Sequence, residues 1–145
     1  EMDSFNIGVS RVYQKFEFSD PFTAEDISTI ESFFEEKTGD FLSKIDCNIL
    51  IGASGSFETL FELMYQFTFP KELDAIDLEF DLLMANLEKL IYSTSAEREL
   101  NHHIIAIRRK MIPIAAVKIR CLIQKVGITK VLVSPCSIKE GVLMD

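Results

Sequence analysis

At 145 residues and 16.5 kDa the chain is the size of one domain built around one hydrophobic core. Its 48% hydrophobic and 26% charged residues are ordinary globular proportions, which exclude a disordered chain. The formal net charge of −8 gives no general attraction to a polyanion, and the sequence has neither an apolar run of about 18 residues nor a signal segment. We therefore predict a cytoplasmic protein without DNA, RNA or membrane partners.

The first predicted elements are a strand, a long helix and a second strand. Residues 4–7 are typical of a strand entering a turn, and the abrupt start suggests a piece of something longer. A helix is predicted from an N-cap at Thr23, with acidic residues in its first turn, to about Lys44. Residues 47–51 form a short apolar run before Gly52, which favours a buried parallel strand.

The middle of the chain is predicted to be helical. Residues 57–67 fit one helix, and the steps of 3 and 4 between apolar residues from Leu73 to Leu90 predict a long amphipathic helix with a continuous seam. We expect this seam to pack within the domain, and a helical interaction module that uses it is the alternative. Thr94 and Glu97 fit a capping box that starts another helix.

The last third of the chain completes an alternation of strands and helices. Residues 111–126 are apolar on all sides, which indicates a helix covered by the rest of the fold. Residues 130–134 are predicted to be a strand, and Ser137 and Glu140 fit a second capping box. The order of elements predicts an α/β fold with a small, mostly parallel sheet.

Charge is divided unevenly along the chain. Residues 1–97 contain 6 Lys/Arg and 20 Asp/Glu, a formal charge of −14, whereas residues 98–145 contain 9 and 3, a formal charge of +6. This division favours contact between the two parts and leaves a basic segment that could face an anion. Solvated helix faces are the simpler interpretation.

Cysteine and histidine residues predict no metal site. Cys47, Cys121 and Cys136 are odd in number and form no C-x-x-C pair, so we expect buried, reduced thiols. His102 and His103 are adjacent and would point about 100° apart on a helix, unlike a metal-binding pair.

The best candidate site is the loop between the predicted strand at residues 47–51 and the next helix. Gly52 and Gly55 allow a tight turn and close approach of the backbone to a ligand, and Ser54 and Ser56 offer hydroxyl groups. The start of the helix presents unpaired N–H groups to phosphate. The loop lacks the lysine of a Walker loop, and a plain turn capped by Ser56 is the alternative.

Two arginines add a second candidate. Arg108 is predicted to bind phosphate, because a guanidinium can hold an oxyanion with two hydrogen bonds. Satisfying the last carbonyl groups of the preceding helix is an alternative role for Arg108 and Arg109. We predict no catalytic residue and no metal ligand in the chain.

Four short segments, in order, together span almost the whole chain. They are residues 4–12 (SFNIGVSRV), 52–56 (GASGS), 108–113 (RRKMIP) and 133–143 (VSPCSIKEGVL). These segments resemble S-F-P-L-G-x-V-R-L, G-(A/T)-S-G-T, R-x-(D/E)-x-I-P and V-S-x-x-x-L-R-E-G-x-L of the Ppx/GppA family, the exopolyphosphatases and guanosine pentaphosphate phosphohydrolases. The departures from the family pattern are Ser56 for Thr, Lys110 for an acidic residue, Cys136, and Lys139 for Arg.

The resemblance implies a ribonuclease H-like domain of the actin-like ATPase superfamily, in which two similar domains close over a phosphate-bearing ligand. Residues 1–145 would correspond to the second, C-terminal domain, with the first domain missing. Residues 52–56 would be the nucleotide-side turn, and residues 134–141 the second connection between the domains.

The resemblance also implies a function in the hydrolysis of phosphoanhydrides, with polyphosphate or pppGpp as substrate. The family's D-I-G-G-G-S-T-E phosphate loop and catalytic Glu lie outside this chain, so we expect the chain alone to be inactive and to bind no metal, although the full-length protein would use Mg²⁺. The expected ligand in the full-length cleft is polyphosphate or guanosine polyphosphate. The missing N-terminal domain is the expected protein partner, and a homodimer is a further possibility. Because Lys110 replaces an acidic residue, a noncatalytic nucleotide- or partner-binding domain of the same fold is the alternative.

Overall fold

The computed structural model describes residues 2–53, 55–70 and 74–136, in which helices surround a small sheet. In chain order the elements are α1 (Val9–Lys15), α2 (Ala24–Leu42), β1 (Ile49–Gly52), α3 (Gly55–Tyr65), β2 (Ile76–Leu78), α4 (Phe80–Ile91), α5 (Ser95–Leu100), a 3₁₀ turn (Ala106–Arg108), α6 (Ile112–Val126) and β3 (Lys130–Val133).

The sheet has the strand order β1-β3-β2 and is mixed. β1 and β3, predicted at residues 47–51 and 130–134, pair in parallel with Gly52 opposite Val133. β2 pairs antiparallel with β3, so that Ile76 also lies opposite Val133. The prediction of a mostly parallel sheet was therefore wrong within the described residues, because it contained no strand at β2.

The predicted long helix from Leu73 to Leu90 is interrupted. Residues 76–78 form β2, and α4 begins only after Glu79, whose side chain accepts hydrogen bonds from the backbone N–H groups of the next two residues at 3.2 and 2.6 Å. This N-cap separates strand from helix. Leu87 and Leu90 of the predicted seam are buried in the core, so the seam is not free to bind another helix. Leu73 lies outside the described residues.

The predicted first strand is also absent from the structure. Residues 4–7 form no strand, and α1 follows directly with Val12 buried in the core. The backbone carbonyl of Ile7 accepts a hydrogen bond from Nζ of Lys118 on α6. No strand in the described sheet pairs with residues 4–7, and an extended segment without a partner strand is not stable as a strand.

The N-cap predicted at Thr23 and the capping box predicted at Thr94 are both confirmed, and Thr23 also forms a capping box. Thr23 exchanges hydrogen bonds with Asp26 at the start of α2, and Thr94 does so with Glu97 at the start of α5. The capping box predicted at Ser137 and Glu140 lies outside the described residues.

The helix at the centre of the core is α6, as its sequence predicted. Nine of its 15 residues are buried, and it packs against α1, α2 and α4. It ends at Gly127, which has the left-handed φ of 78° that glycine adopts readily. The strands, α3 and α4 share this core, so α3 is anchored in it by its buried residues.

Ion pairs join the acidic and basic parts of the chain, as the charge division predicted. Each pairs a carboxylate before residue 98 with a cation after it. The three pairs are Glu31–Arg120 at 3.5 Å, Glu35–Lys125, and Asp77–Lys130 at 3.4 Å.

Candidate functional site

The predicted loop lies at the carboxyl end of the parallel strand pair. β1 ends at Gly52 and α3 begins at Gly55, three residues later. The backbone N–H of Ser134, just after β3, donates to the carbonyl of Gly52 at 2.8 Å. In open α/β sheets, ligands bind outside the carboxyl ends of the strands. The loop is therefore positioned where this fold class places ligands.

Both glycines of the loop lie in close contact with a side chain of the protein. A Cβ at buried Gly52 would overlap the ring of Phe57, and a Cβ at Gly55 would overlap the guanidinium of Arg108. The sequence suggested that these glycines let the backbone approach a ligand. The structure gives them a second reason, because each makes room for a side chain of the protein itself.

Arg108 is held against the start of α3. Its Nη1 atom donates hydrogen bonds to the carbonyl of Gly55 and to Oγ1 of Thr59, both at 3.0 Å. The fold therefore brings together Gly55 and Arg108, two predicted site residues that are 53 positions apart in the chain. The alternative role, binding carbonyl groups of the preceding turn, is seen for Arg109, whose Nε donates to the carbonyl of Ile104 at 3.2 Å.

The start of α3 presents backbone N–H groups that have no acceptor among the described residues. Within the described part of the chain, the N–H groups of Ser56 and Phe57 donate no hydrogen bond. Such groups give the N-terminal end of a helix a partial positive charge. Glu58 is the acidic residue of this first turn. Ser54 lies outside the described residues.

The charge of Arg108 adds to this positive end. The guanidinium makes no ion pair with any carboxylate that the structure describes. A cation at the N-terminus of a helix is electrostatically unfavourable, because it faces the positive end of the helix dipole. An oxyanion bound beside Ser56 and Arg108 would remove this disadvantage.

Thr59 was missed by the sequence analysis. Its side chain is 2% exposed, and its hydroxyl donates to the carbonyl of Gly55 at 2.9 Å while accepting from Arg108. The position four residues after Gly55, on the same face of the helix, was the available signal.

The cysteines and histidines differ in part from the predictions. Cys121 is buried, and burial and the charge of Glu31 raise the pKa of its thiol while Arg120 lowers it. Cys47 is exposed and Cys136 half-buried, so the expectation of buried thiols was wrong for Cys47. Among the residues described, no three His, Cys, Asp or Glu side chains are grouped to hold a metal ion.

No described helix has the length and apolar character needed to cross a membrane.

Solved structures resemble this chain over nearly its whole length. An exopolyphosphatase from Cytophaga hutchinsonii superposes with a TM-score of 0.90 and 29% identity, over 98% of this chain and 48% of the other. A Ppx/GppA family member from Aquifex aeolicus gives 0.82 and 23%, over 99% and 47%. An exopolyphosphatase-like protein gives 0.84 and 22%, over 99% and 49%. No family model and no curated protein sequence matches the chain.

These comparisons first define a class: an α/β protein with a small mixed sheet, whose neighbours imply the actin-like ATPase fold. They then confirm the resemblance to the Ppx/GppA family, because the structural neighbours that cover this chain are Ppx/GppA exopolyphosphatases. The chain spans about half the length of these neighbours, which is consistent with a C-terminal part of such a protein.

Proposed function

We propose that this chain is the second, C-terminal domain of an exopolyphosphatase-related phosphohydrolase that acts on phosphoanhydrides, either polyphosphate or pppGpp. Its role is to supply phosphate contacts and to close the cleft, and the catalytic residues belong to the rest of the protein. The proposal includes a ribonuclease H-like fold and keeps the cytoplasmic location predicted from the sequence. Its support is the exopolyphosphatase that resembles this chain at 29% identity and a TM-score of 0.90.

The observation that carries the proposal is the position of Arg108. Its guanidinium contacts the start of α3, next to the backbone donors of Ser56 and Phe57, and has no described carboxylate partner. A guanidinium, two N–H groups without an acceptor among the described residues, and a helix N-terminus all attract the same kind of ligand, an oxyanion. A phosphate group of a polyphosphate chain has this chemistry.

The chain would act on the reaction by neutralising charge. A phosphoryl group in transfer carries negative charge on its oxygen atoms, and fixed hydrogen-bond donors stabilise that charge. The N–H groups of Ser56 and Phe57 would bind one phosphate, with the Ser56 hydroxyl and the predicted Ser54 hydroxyl as further donors. Arg108 would hold the loop in position and balance the phosphate charge.

Mg²⁺ would be held elsewhere. Magnesium prefers oxygen ligands from carboxylates, water and substrate phosphates. Glu58 is the carboxylate in the first turn of α3, and one carboxylate at the positive end of a helix does not make a magnesium site. The metal would therefore be bound by the phosphates and by the remaining half of the protein, where it neutralises charge.

The outer edge of β1 supports contact with that remaining half. In the described sheet β1 pairs on one side only, with β3. Ile49 and Ile51 on this strand are 47% and 58% exposed. An exposed apolar edge strand is normally covered by another element. Covering it would also place the rest of the protein next to the carboxyl end of β1, where the phosphate loop begins.

Titration with tripolyphosphate, followed by amide NMR, tests the phosphate site. We expect the amide signals of Ser56 and Phe57 to shift at millimolar ligand. Arg108→Gln should weaken binding about tenfold, which is the effect of losing one charge-assisted contact. Lys110→Gln is the matched control, because it removes the same charge from an exposed position two residues away. Equal losses in both variants, or unmoved amides, would show that binding does not depend on this site.

Noncatalytic binding is the second candidate, and Lys110 at a usually acidic position favours it. Phosphate release by the full-length protein from polyphosphate or pppGpp with Mg²⁺ separates the two candidates. Tripolyphosphate binding without phosphate release would favour the noncatalytic function. Release that falls in Arg108→Gln but not in Lys110→Gln would favour the hydrolase.

A further inference from the structure

A second cavity lies at the opposite end of α3 from the phosphate loop. It has a volume of about 610 Å³ and lies between the C-terminal ends of α3, α4 and α5; we call it the α3–α5 cavity. Leu63, Leu90 and Ile104 give it apolar walls, and Lys89 and Arg98 add positive charge. Since α3 has 11 residues, the cavity is roughly 15 Å from Gly55, too far for one small ligand to fill both sites.

Lys89, Glu97 and Arg98 are the charged residues that line this cavity. Of these, Arg98 is buried, with 7% exposure. Its Nε donates to the carbonyl of Arg109 at 2.6 Å, and its Nη1 donates to the carbonyl and hydroxyl of Ser93 at 2.7 and 2.9 Å. No hydrogen bond from Nη2 to a described residue is found. Because a guanidinium has five N–H donors, Arg98 can donate more hydrogen bonds than the three that the described residues accept.

The charge of Arg98 lacks a direct partner. No carboxylate of the described residues lies within ion-pair distance of it. Glu97 lines the same cavity, but one of its oxygen atoms accepts the backbone N–H of Thr94 at 2.9 Å. Burial lowers the pKa of Arg98, while the more distant charges of Asp20 and Glu97 raise it. A buried cation is costly unless an anion balances it.

We propose that the α3–α5 cavity binds a small amphipathic monoanion, with an acidic head group on Arg98 and a hydrocarbon body against Leu63, Leu90 and Ile104. A medium-chain fatty carboxylate has this chemistry. The cavity volume is within the range of ordinary small-molecule sites, which are mostly apolar with a few fixed polar groups. Lys89 is exposed at the rim, where it would attract the anion.

Arg98 also lines a smaller cavity, which is a less suitable site for an amphipathic anion. This cavity has a volume of about 180 Å³ and is also lined by Lys110 and Asp20. Each cavity contains one carboxylate, Glu97 or Asp20, so the difference is the volume, which leaves little room for a hydrocarbon body in the smaller one. Lys89 lines the larger cavity and Lys110 the smaller one, so the two lysines provide a matched pair of variants.

The test is a titration with octanoate, followed by methyl NMR of Leu63, Leu90 and Ile104. We expect these signals to shift with octanoate but not with octanol, which lacks the charge, or with acetate, which lacks the body. Lys89→Glu should weaken octanoate binding about threefold to tenfold at low ionic strength, and Lys110→Glu should leave it within about twofold.

Three results would overturn the proposal: no methyl shifts at millimolar octanoate, octanol binding as well as octanoate, or a larger loss in Lys110→Glu than in Lys89→Glu. Both lysines are exposed, so neither variant is expected to impair folding. Tripolyphosphate would bind at the other end of α3, so the two sites are tested independently. A failure of octanoate binding would not affect the proposed phosphate site, and a failure of tripolyphosphate binding would not affect the α3–α5 cavity.

Discussion

The guanidinium of Arg108 occupies the space that a side chain at Gly55 would need. Nη1 of Arg108 donates to the Gly55 carbonyl at 3.0 Å, and a Cβ on Gly55 would overlap the same guanidinium. This contact joins the segment before α6 to the first residue of α3. The position of the candidate phosphate loop therefore depends on a residue in the last third of the chain.

Gly55→Ala should displace Arg108 and break its hydrogen bonds to Gly55 and Thr59. We expect the free energy of unfolding to fall by about 1–3 kcal/mol, because the guanidinium must move away from the added methyl group and leaves both hydrogen bonds. Urea denaturation measures the change. Gly39→Ala is the control with the opposite expected sign. Its Cβ would displace the end of the Glu35 side chain, whose partly exposed ion pair with Lys125 contributes little, and alanine inside a helix stabilises by roughly 0.5–1 kcal/mol. A similar change in both variants would contradict the contact.

Arg98→Met should lower stability by about 2–4 kcal/mol. The substitution keeps most of the side-chain volume but leaves the carbonyl groups of Ser93 and Arg109 without their donors. Guanidinium chloride denaturation followed by far-UV circular dichroism measures the loss. Lys110→Met removes an exposed charge and should stay within about 0.5 kcal/mol of the parent protein. An Arg98→Met variant as stable as the parent protein would mean that these hydrogen bonds contribute little to stability.

Stability should depend on pH through Asp26. Burial by itself raises the pKa of Asp26. Hydrogen bonds from Thr23 and Ser19 to its carboxylate have the opposite and larger effect, so that the folded-state pKa lies below the ordinary value. The stabilisation is complete above the ordinary pKa of Asp, about 4, and is lost as the pH falls through the lower folded-state pKa.

Asp26→Asn should therefore remove part of the stability loss seen between about pH 5 and pH 2. At neutral pH the variant should be about 1 kcal/mol less stable, because the capping box loses its carboxylate. Urea denaturation at a series of pH values gives both quantities. An unchanged pH dependence in Asp26→Asn would assign the acid sensitivity to other groups.

Ile51→Lys should reduce self-association of the isolated chain without lowering its stability by more than about 0.5 kcal/mol. Ile51 is 58% exposed on β1, whose outer edge is unpaired in the described sheet, and a lysine there prevents edge-to-edge pairing. Sedimentation equilibrium over a range of concentrations measures the association.

Ile105→Lys is the control for this experiment, because Ile105 is similarly exposed, at 50%, but lies outside the sheet. If both lysine variants reduce association equally, general hydrophobicity rather than the edge of β1 is responsible.

Local signals in the sequence were sufficient for most of the elements. The capping boxes at Thr23 and Thr94 depend on hydrogen bonds between residues three apart, so the sequence contains both partners. The apolar residues of α6 indicate by themselves that this helix is covered on nearly all sides. β1 and β3 were recognisable as short apolar runs of strand length.

The errors occurred where the partner is distant in the chain. Ile76 and Phe80 fit the spacing of a helix, and β2 exists because residues 76–78 pair with β3, more than 50 residues later. Residues 4–7 have the composition of a strand but no described partner, so they do not form one. Strand formation needs hydrogen bonds to another strand, and a local pattern does not contain that information.

Residue types alone determined that a glycine- and serine-rich turn lies between β1 and α3, where a helix start can face an anion. Only the tertiary structure decided that Phe57 covers Gly52 and that Arg108 lies against Gly55. The reason is physical: turn chemistry is a property of adjacent residues, whereas packing brings together side chains that the chain order keeps apart.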